Sequence, residues 1–128
     1  MNRNIHIGRQ GELFAASVLE GYEIRTSHVD IKSDDLWVKT PSDQFFAVQV
    51  KTASYPLLHS AHHTIKKYNF ALHSMQNYTG VFIFVALDIN MILAREGTTV
   101  FTKTLKLRPC DFTQQAQDQT IRKVFQLG

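Results

Sequence analysis

Hydrophobic and polar positions alternate twice in quick succession, over Asp35–Thr40 and over Gln44–Thr52, with Pro41-Ser42-Asp43 between the runs. Short runs rich in β-branched and aromatic residues, bounded by turn formers, predict strands, and two such runs around Pro-Ser-Asp predict a hairpin. Side chains alternate faces along a strand. Leu36 and Val38 therefore share one side with Phe46, Val48 and Val50, while Asp35, Trp37 and Lys39 share the other with Ala47, Gln49 and Lys51. If the three turn residues close the hairpin, Thr40 faces Gln44 and Asp35 faces Gln49. Opposed residues lie roughly 4.5–5.5 Å apart on one face. A carboxylate, an amide and a lysine then gather above an apolar underside.

The flanking chain supplies helices and further strands. A helix is expected from about Ile7 to Glu20, closed by Gly21 as a left-handed cap. Leu13, Ala16, Val18 and Leu19 give it an apolar stripe. Glu12, Ala15, Ala16 and Leu19 fall at helical spacing on one face, so Glu12 sits at or beside the buried side. Tyr22–Thr26 alternates as a short strand and Ser27–Asp34 reads as a polar connection. Tyr68, Phe70 and Leu72 alternate with polar or small residues, which fits a strand. Val81–Leu87 is the most hydrophobic run and predicts a central strand, with Met91–Ala94 as its partner across Asp88-Ile89-Asn90. Glu96–Pro109 is polar. Phe112–Leu127 suits an amphipathic helix with Phe112, Ala116, Ile121, Val124 and Phe125 on one side. Helix, strands and closing helix make a mixed α/β arrangement.

Length and composition narrow the class. A chain of 128 residues is expected to form one domain over 1–128, and 44% hydrophobic with 20% charged residues is ordinary for a soluble globular protein. No apolar run approaches the roughly 20 residues of a membrane span, and the first residues lack the apolar core of a secretion signal. The expectation is a cytoplasmic protein with no membrane partner. Cys110 is the single cysteine, which excludes an internal disulfide and a multi-cysteine metal site; with no nearby histidine or acid to signal a nucleophile, it reads as structural. Net charge is +3, spread unevenly: six Lys/Arg against seven Asp/Glu up to Thr64, eight against four after it. A basic second half beside a near-neutral first half suits an acidic site next to a surface for polyanions.

Chemistry concentrates on Asp35, Gln49 and Lys51, with Glu12 from the first helix. Phosphodiester hydrolysis needs a hard cation held by carboxylate and carbonyl oxygens. Asp35 offers an anionic ligand, Gln49 a neutral oxygen and Val50 its main-chain carbonyl, while Lys51 can stabilise the charge that builds on phosphorus. Glu12 reaches in from across the site. The alternative is a solvated hairpin face with an Asp35–Lys51 ion pair. Asp30, also before a hydrophobic residue, is the rival to Asp35. His59 and His63 have the i, i+4 spacing of a zinc pair, but no third ligand is evident and Pro56 disfavours a helix there. Tyr68, Phe70 and Tyr78 suit either base stacking or the core, and strand spacing favours the core.

Gly8-Arg9-Gln10-Gly11-Glu12, the helix through Gly21-Tyr22, Asp35-Leu36-Trp37-Val38 and Val48-Gln49-Val50-Lys51-Thr52-Ala53 together resemble the PD-(D/E)xK nuclease superfamily. The similarity is to its branch with Gln in place of the acid before x-Lys, which includes an intron-encoded homing endonuclease. The order helix-Glu, Asp, QxK is also similar to archaeal Holliday junction resolvases. The resemblance implies a restriction endonuclease-like core, a mixed β-sheet flanked by an N-terminal and a C-terminal helix. It implies a Mg²⁺-dependent endodeoxyribonuclease, with Mn²⁺ as a substitute. Asp35 would be the metal-binding acid, Gln49 the replaced acid, Lys51 the catalytic lysine and Glu12 the helix acid, which binds metal directly or through water. Asp34 stands where the motif has Pro. Duplex or branched DNA is the implied partner, met by Arg9, Lys66, Lys67, Lys103 and Lys106, and a homo-oligomer (dimer or tetramer) is implied by the need to cut more than one strand. A junction resolvase and a catalytically silent nucleic-acid-binding module are the alternatives.

Overall fold

The computed structural model describes residues 3–58, 64–72 and 77–128. Helix α1 (Arg3–Gly21) is followed by strands β1 (Arg25–Ile31), β2 (Asp34–Lys39), β3 (Phe45–Ala53), β4 (Tyr68–Ala71), β5 (Val81–Ala86), β6 (Met91–Glu96) and β7 (Thr104–Leu107), and then by helix α2 (Gln114–Val124). Among the described residues the strands form a mixed five-stranded sheet in the order β1-β2-β3-β5-β6 and a separate antiparallel pair, β4-β7. β3 and β5 run parallel, with Val50 beside Ile83 and Lys51 beside Phe84; the other neighbours are antiparallel. No helix among the described residues is long and apolar enough to cross a membrane.

The sheet separates two apolar layers. On one side Ala15, Ala16 and Leu19 of α1 and Ile121, Val124 and Phe125 of the α2 region pack on Leu36, Val38, Val48, Val50, Val81 and Ile83. On the other, Tyr68, Phe70 and Leu107 of the small pair cover Ala53, Phe82, Phe84 and Leu93. β5 is buried on both faces, which is why its sequence is hydrophobic without interruption. The outcome is the expected mixed sheet flanked by an N-terminal and a C-terminal helix, with both helices on one face.

From the turn up to Leu36 opposite Val48 the hairpin register is the one the parity predicts, with Lys39 opposite Phe45. The expected pair of Asp35 with Gln49 is not made, because the strands part before it. Thr40 N–H donates to Gln44 O (2.9 Å) and Asp43 N–H to Thr40 O (2.9 Å). Pro41 presets the turn and Asp43 takes the left-handed conformation at φ 67°, the usual finish of a three-residue hairpin loop.

Three expectations are corrected. α1 is not capped by Gly21: Glu23 takes the left-handed position at φ 62°, with Ile24 N–H donating to Leu19 O (3.1 Å) and Glu23 N–H to Glu20 O (2.9 Å). This Schellman closure folds Ile24 back onto Leu19, and the burial of that apolar pair is what holds a non-glycine residue there. Leu13 lies on the exposed side of α1, outside the buried stripe. β1 begins three residues later than expected and takes in most of the polar connection, because it is an edge strand whose residues are largely exposed.

Candidate active site

β2 and β3 separate beyond the Leu36–Val48 pair, one step short of Asp35 and Gln49. In an antiparallel ladder the N–H and C=O of one residue point to the same side. The Val50 N–H, freed by the separation, donates to Asp35 Oδ2 at 2.8 Å. The Val50 carbonyl is thereby directed into the same gap. One carboxylate oxygen is fixed by the backbone that carries Gln49 and Lys51, so Asp35 is aimed by the splayed strand end itself.

Glu12 reaches this gap from α1 because the helix backbone at Gly11 lies directly on the Thr52 side chain of β3. A Cβ on Gly11 would overlap the Thr52 side chain. Glycine at 11 therefore permits the close approach and sets the next residue, half-buried Glu12, beside Asp35. The Thr52 hydroxyl is buried there without a hydrogen-bond partner.

The electrostatics are those of like charges crowded together. Burial raises the Glu12 carboxyl above its ordinary range, the Asp35 charge and a hydrogen bond to Asp35 raise it further, and Arg9 opposes. Burial also raises Asp35, against the lowering effects of the Val50 N–H, Glu12 and Lys51. Burial lowers Lys51, and the Asp35 charge pulls it back. Asp35 is thus the shared neighbour of the Glu12 carboxyl and the Lys51 ammonium, and all three groups are displaced toward their neutral forms by desolvation.

β1 closes the outer side. Its pairing with β2 is irregular between His28 and Ile31, where the chain carries a bulge. Arg9, Glu12, Leu13, His28, Val29, Asp30 and Asp35 line a cleft of about 580 Å³. Asp30, the rival of Asp35, stands in this cleft and raises both Glu12 and Asp35 through its charge, while the hydrogen bond from β3 goes to Asp35. Sequence reasoning missed His28 and the role of Asp30 as a neighbour, because a bulge leaves no mark in the alternation of residues.

Asp34 has a separate task. It accepts hydrogen bonds from Tyr78 Oη (2.7 Å) and Trp37 Nε1 (2.9 Å). Burial, then the Asp34 hydrogen bond, raises the Tyr78 phenol. Asp34 thus ties the start of β2 to the segment entering β5.

Glu12, Asp35 and Lys51 come together, and Arg9 borders the cleft. Gln49 sits half-buried one pleat before Lys51 on the same face of β3. Lys66, Lys67, Lys103 and Lys106 lie around the β4-β7 pair instead. Among the described residues no three His, Cys, Asp or Glu side chains converge as a ready-made metal cage. Two crowded carboxyls at a freed main-chain carbonyl, with Gln49 on the same strand face as Lys51, fit a hard divalent cation, whose charge relieves the carboxyls' repulsion. His59 and His63 lie outside the described residues. Tyr68 and Phe70 are core, with Tyr68 Oη donating to Asp88 (2.8 Å). Cys110 is exposed rather than built into the core.

The chain is similar in fold to a homing endonuclease. The solved structure of the bacterial homing endonuclease I-Ssp6803I superposes with a TM-score of 0.64 at 14% identity, over 89% of this chain and 81% of that one. No family model matches the chain, and no curated protein matches it. At that identity the likeness is one of fold.

Proposed function

We propose that this protein is a metal-dependent DNA endonuclease of the PD-(D/E)xK type, in the QxK branch, hydrolysing phosphodiester bonds. The observation that carries the reading is the meeting of Glu12, Asp35 and Lys51 where β2 and β3 splay, on a fold shared with a homing endonuclease. Asp35, the Gln49 amide oxygen and the Val50 carbonyl would hold Mg²⁺ or Mn²⁺, with Glu12 joining directly or through water. A divalent cation bound there supplies charge neutralisation at the phosphoryl group and a more acidic water. Lys51 presents its ammonium to the phosphoryl oxygens from a site where desolvation strengthens the attraction. Glu12, set beside Asp35 with its carboxyl raised by burial and the Asp35 charge, orients water on the helix side. Arg9 stands beside them for the substrate backbone.

One such site cuts one strand, so cleavage of both strands calls for a symmetric homo-oligomer. A silent binding module is the second reading, favoured by the absence, among the described residues, of a ready-made group of three metal-ligating side chains. Incubation of supercoiled plasmid, four-way junctions and single strands with Mg²⁺ or Mn²⁺ separates these. The expected result is nicking of plasmid in the presence of either cation and none with chelator. Cleavage confined to junctions selects the resolvase, and binding without cleavage of any substrate contradicts the endonuclease reading.

A further inference from the structure

Between Asp43 and Asp88 the chain has no Asp or Glu, and between Glu96 and Asp111 it has none either. These two acid-free stretches contribute β4 and β7, which pair with each other and not with the main sheet. Lys66 and Lys67 precede β4, Arg108 follows β7 at the same end, and Lys103 precedes β7 at the other. The nearest acids are engaged: Asp88 accepts from Tyr68 Oη (2.8 Å) and Asp111 Oδ2 from Arg108 N–H (2.8 Å). The small pair is a cationic ribbon without interspersed negative charge.

Its two faces differ. Tyr68, Phe70 and Leu107 are buried against β5 and β6, with Leu105 packed beside them. Asn69 stands opposite Lys106, and Ala71 opposite Thr104. These four residues share the face turned away from the sheet, with Asn69, Ala71 and Lys106 exposed and Thr104 half-exposed. Each has a partner in the major groove. Asn pairs with adenine N6 and N7, Lys with guanine O6 and N7, and the methyl groups of Ala and Thr meet the thymine methyl. A two-stranded ribbon fits a groove about 12 Å wide, since its strands are about 4.8 Å apart before side chains are added. Four residues at about 3.4 Å each match about four base pairs of the same rise. Cations at both ends of the ribbon suit the phosphate rows bordering the groove. β4 also packs against β3, whose Gln49 and Lys51 face the ribbon's side of the sheet.

We propose that the β4-β7 ribbon docks in the major groove of duplex DNA and reads about four base pairs with Asn69, Ala71, Thr104 and Lys106, while Lys66, Lys103 and Arg108 hold the flanking phosphates. The inference rests on the DNA reading of the site, but it is tested without divalent cation, so the two fail separately. A plasmid that is never cut leaves ribbon-dependent binding intact, and the reverse also holds.

The test is selection from a randomised duplex pool in chelator, followed by binding titrations of the full chain and its variants. Enrichment of a block of about four base pairs is expected. Asn69→Ala is expected to weaken binding to the selected duplex roughly tenfold and to relax preference at one position, and Lys106→Ala to do so at a neighbouring position. Lys103→Ala and Arg108→Ala are expected to weaken selected and random duplexes alike, each reducing the slope of log K against log salt by about 0.9. Unchanged melting curves would show that all four variants remain folded. The proposal is overturned by a pool without enrichment, by enrichment that ignores Asn69→Ala and Lys106→Ala, or by single strands bound as tightly as duplex. A change in sedimenting mass in these variants with DNA binding unaltered would make the ribbon a self-association face, and would overturn it too.

Discussion

Gly11 carries only hydrogen where any other residue would drive a carbon into the Thr52 side chain. Gly11→Ala must push α1 from β3 or distort Thr52, at a cost of about 1–3 kcal/mol for overpacking. Because Glu12 follows directly, the same shift should withdraw its carboxyl from Asp35. Chemical denaturation is expected to register the lost stability, and nicking assays a loss of cutting larger than that instability accounts for. Glu12 itself gives a pH test. Burial and the Asp35 charge raise Glu12, and burial raises Asp35. Groups raised on folding bind protons more tightly in the native chain. Their contribution is complete below the unfolded carboxylate range and is lost as pH rises through the folded values. Glu12→Gln removes one of the crowded charges. Without divalent cation it should melt above the wild type at neutral pH, the gap closing as pH falls toward about 4. Melting curves across that range check the sign, and a gap that widens on acidification would contradict it.

Elements differ in how plainly their sequence declares them. The β2-β3 hairpin was legible from its turn to the Leu36–Val48 pair because parity and a Pro-Ser-Asp turn both act locally, but the expected pairing of Asp35 with Gln49 lies beyond the point where the strands part. The end of α1 was not legible, since the burial of Ile24 on Leu19 chose Glu23 over Gly21 for the left-handed turn. β1 was displaced in the reading because an exposed edge strand has no apolar face to display. α2 shows the opposite difficulty. Gln117 reads as a solvent residue, yet it is buried and its Oε1 accepts the Ile92 N–H (2.9 Å), while Thr120 Oγ1 accepts the Ala94 N–H (3.1 Å). The helix thus satisfies the outer edge of β6 with side chains instead of a further strand. Gln117→Leu leaves a buried amide unpaired and is expected to cost about 1–3 kcal/mol in a denaturant titration. A variant as stable as the wild type would show that the edge finds another partner.

At the scale of the whole molecule, the fold divides its labour between the two faces of one sheet. The helix face buries α1 and α2, and α1 delivers Glu12 to the splayed ends of β2 and β3. The opposite face carries Gln49 and Lys51 and supports the cationic β4-β7 ribbon beside them. Sequence pattern placed Glu12, Asp35 and Lys51 each on an element with a clear period, and Asp35 is the residue that neighbours the other two. The pattern did not anticipate the bulge that turns β1 toward the cleft, nor the pairing of β4 with β7, because both depend on contacts between distant segments. In the proposed function Asp35 and Lys51 are the working groups of a DNA-cutting site. The direct measurement is the nicking rate of supercoiled plasmid in Mn²⁺ for wild type, Asp35→Ala and Lys51→Ala, each first shown by circular dichroism to be folded. The account predicts cutting by the wild type and a loss of at least about a hundredfold in both folded variants. Folded variants that cut as fast as the wild type would contradict it.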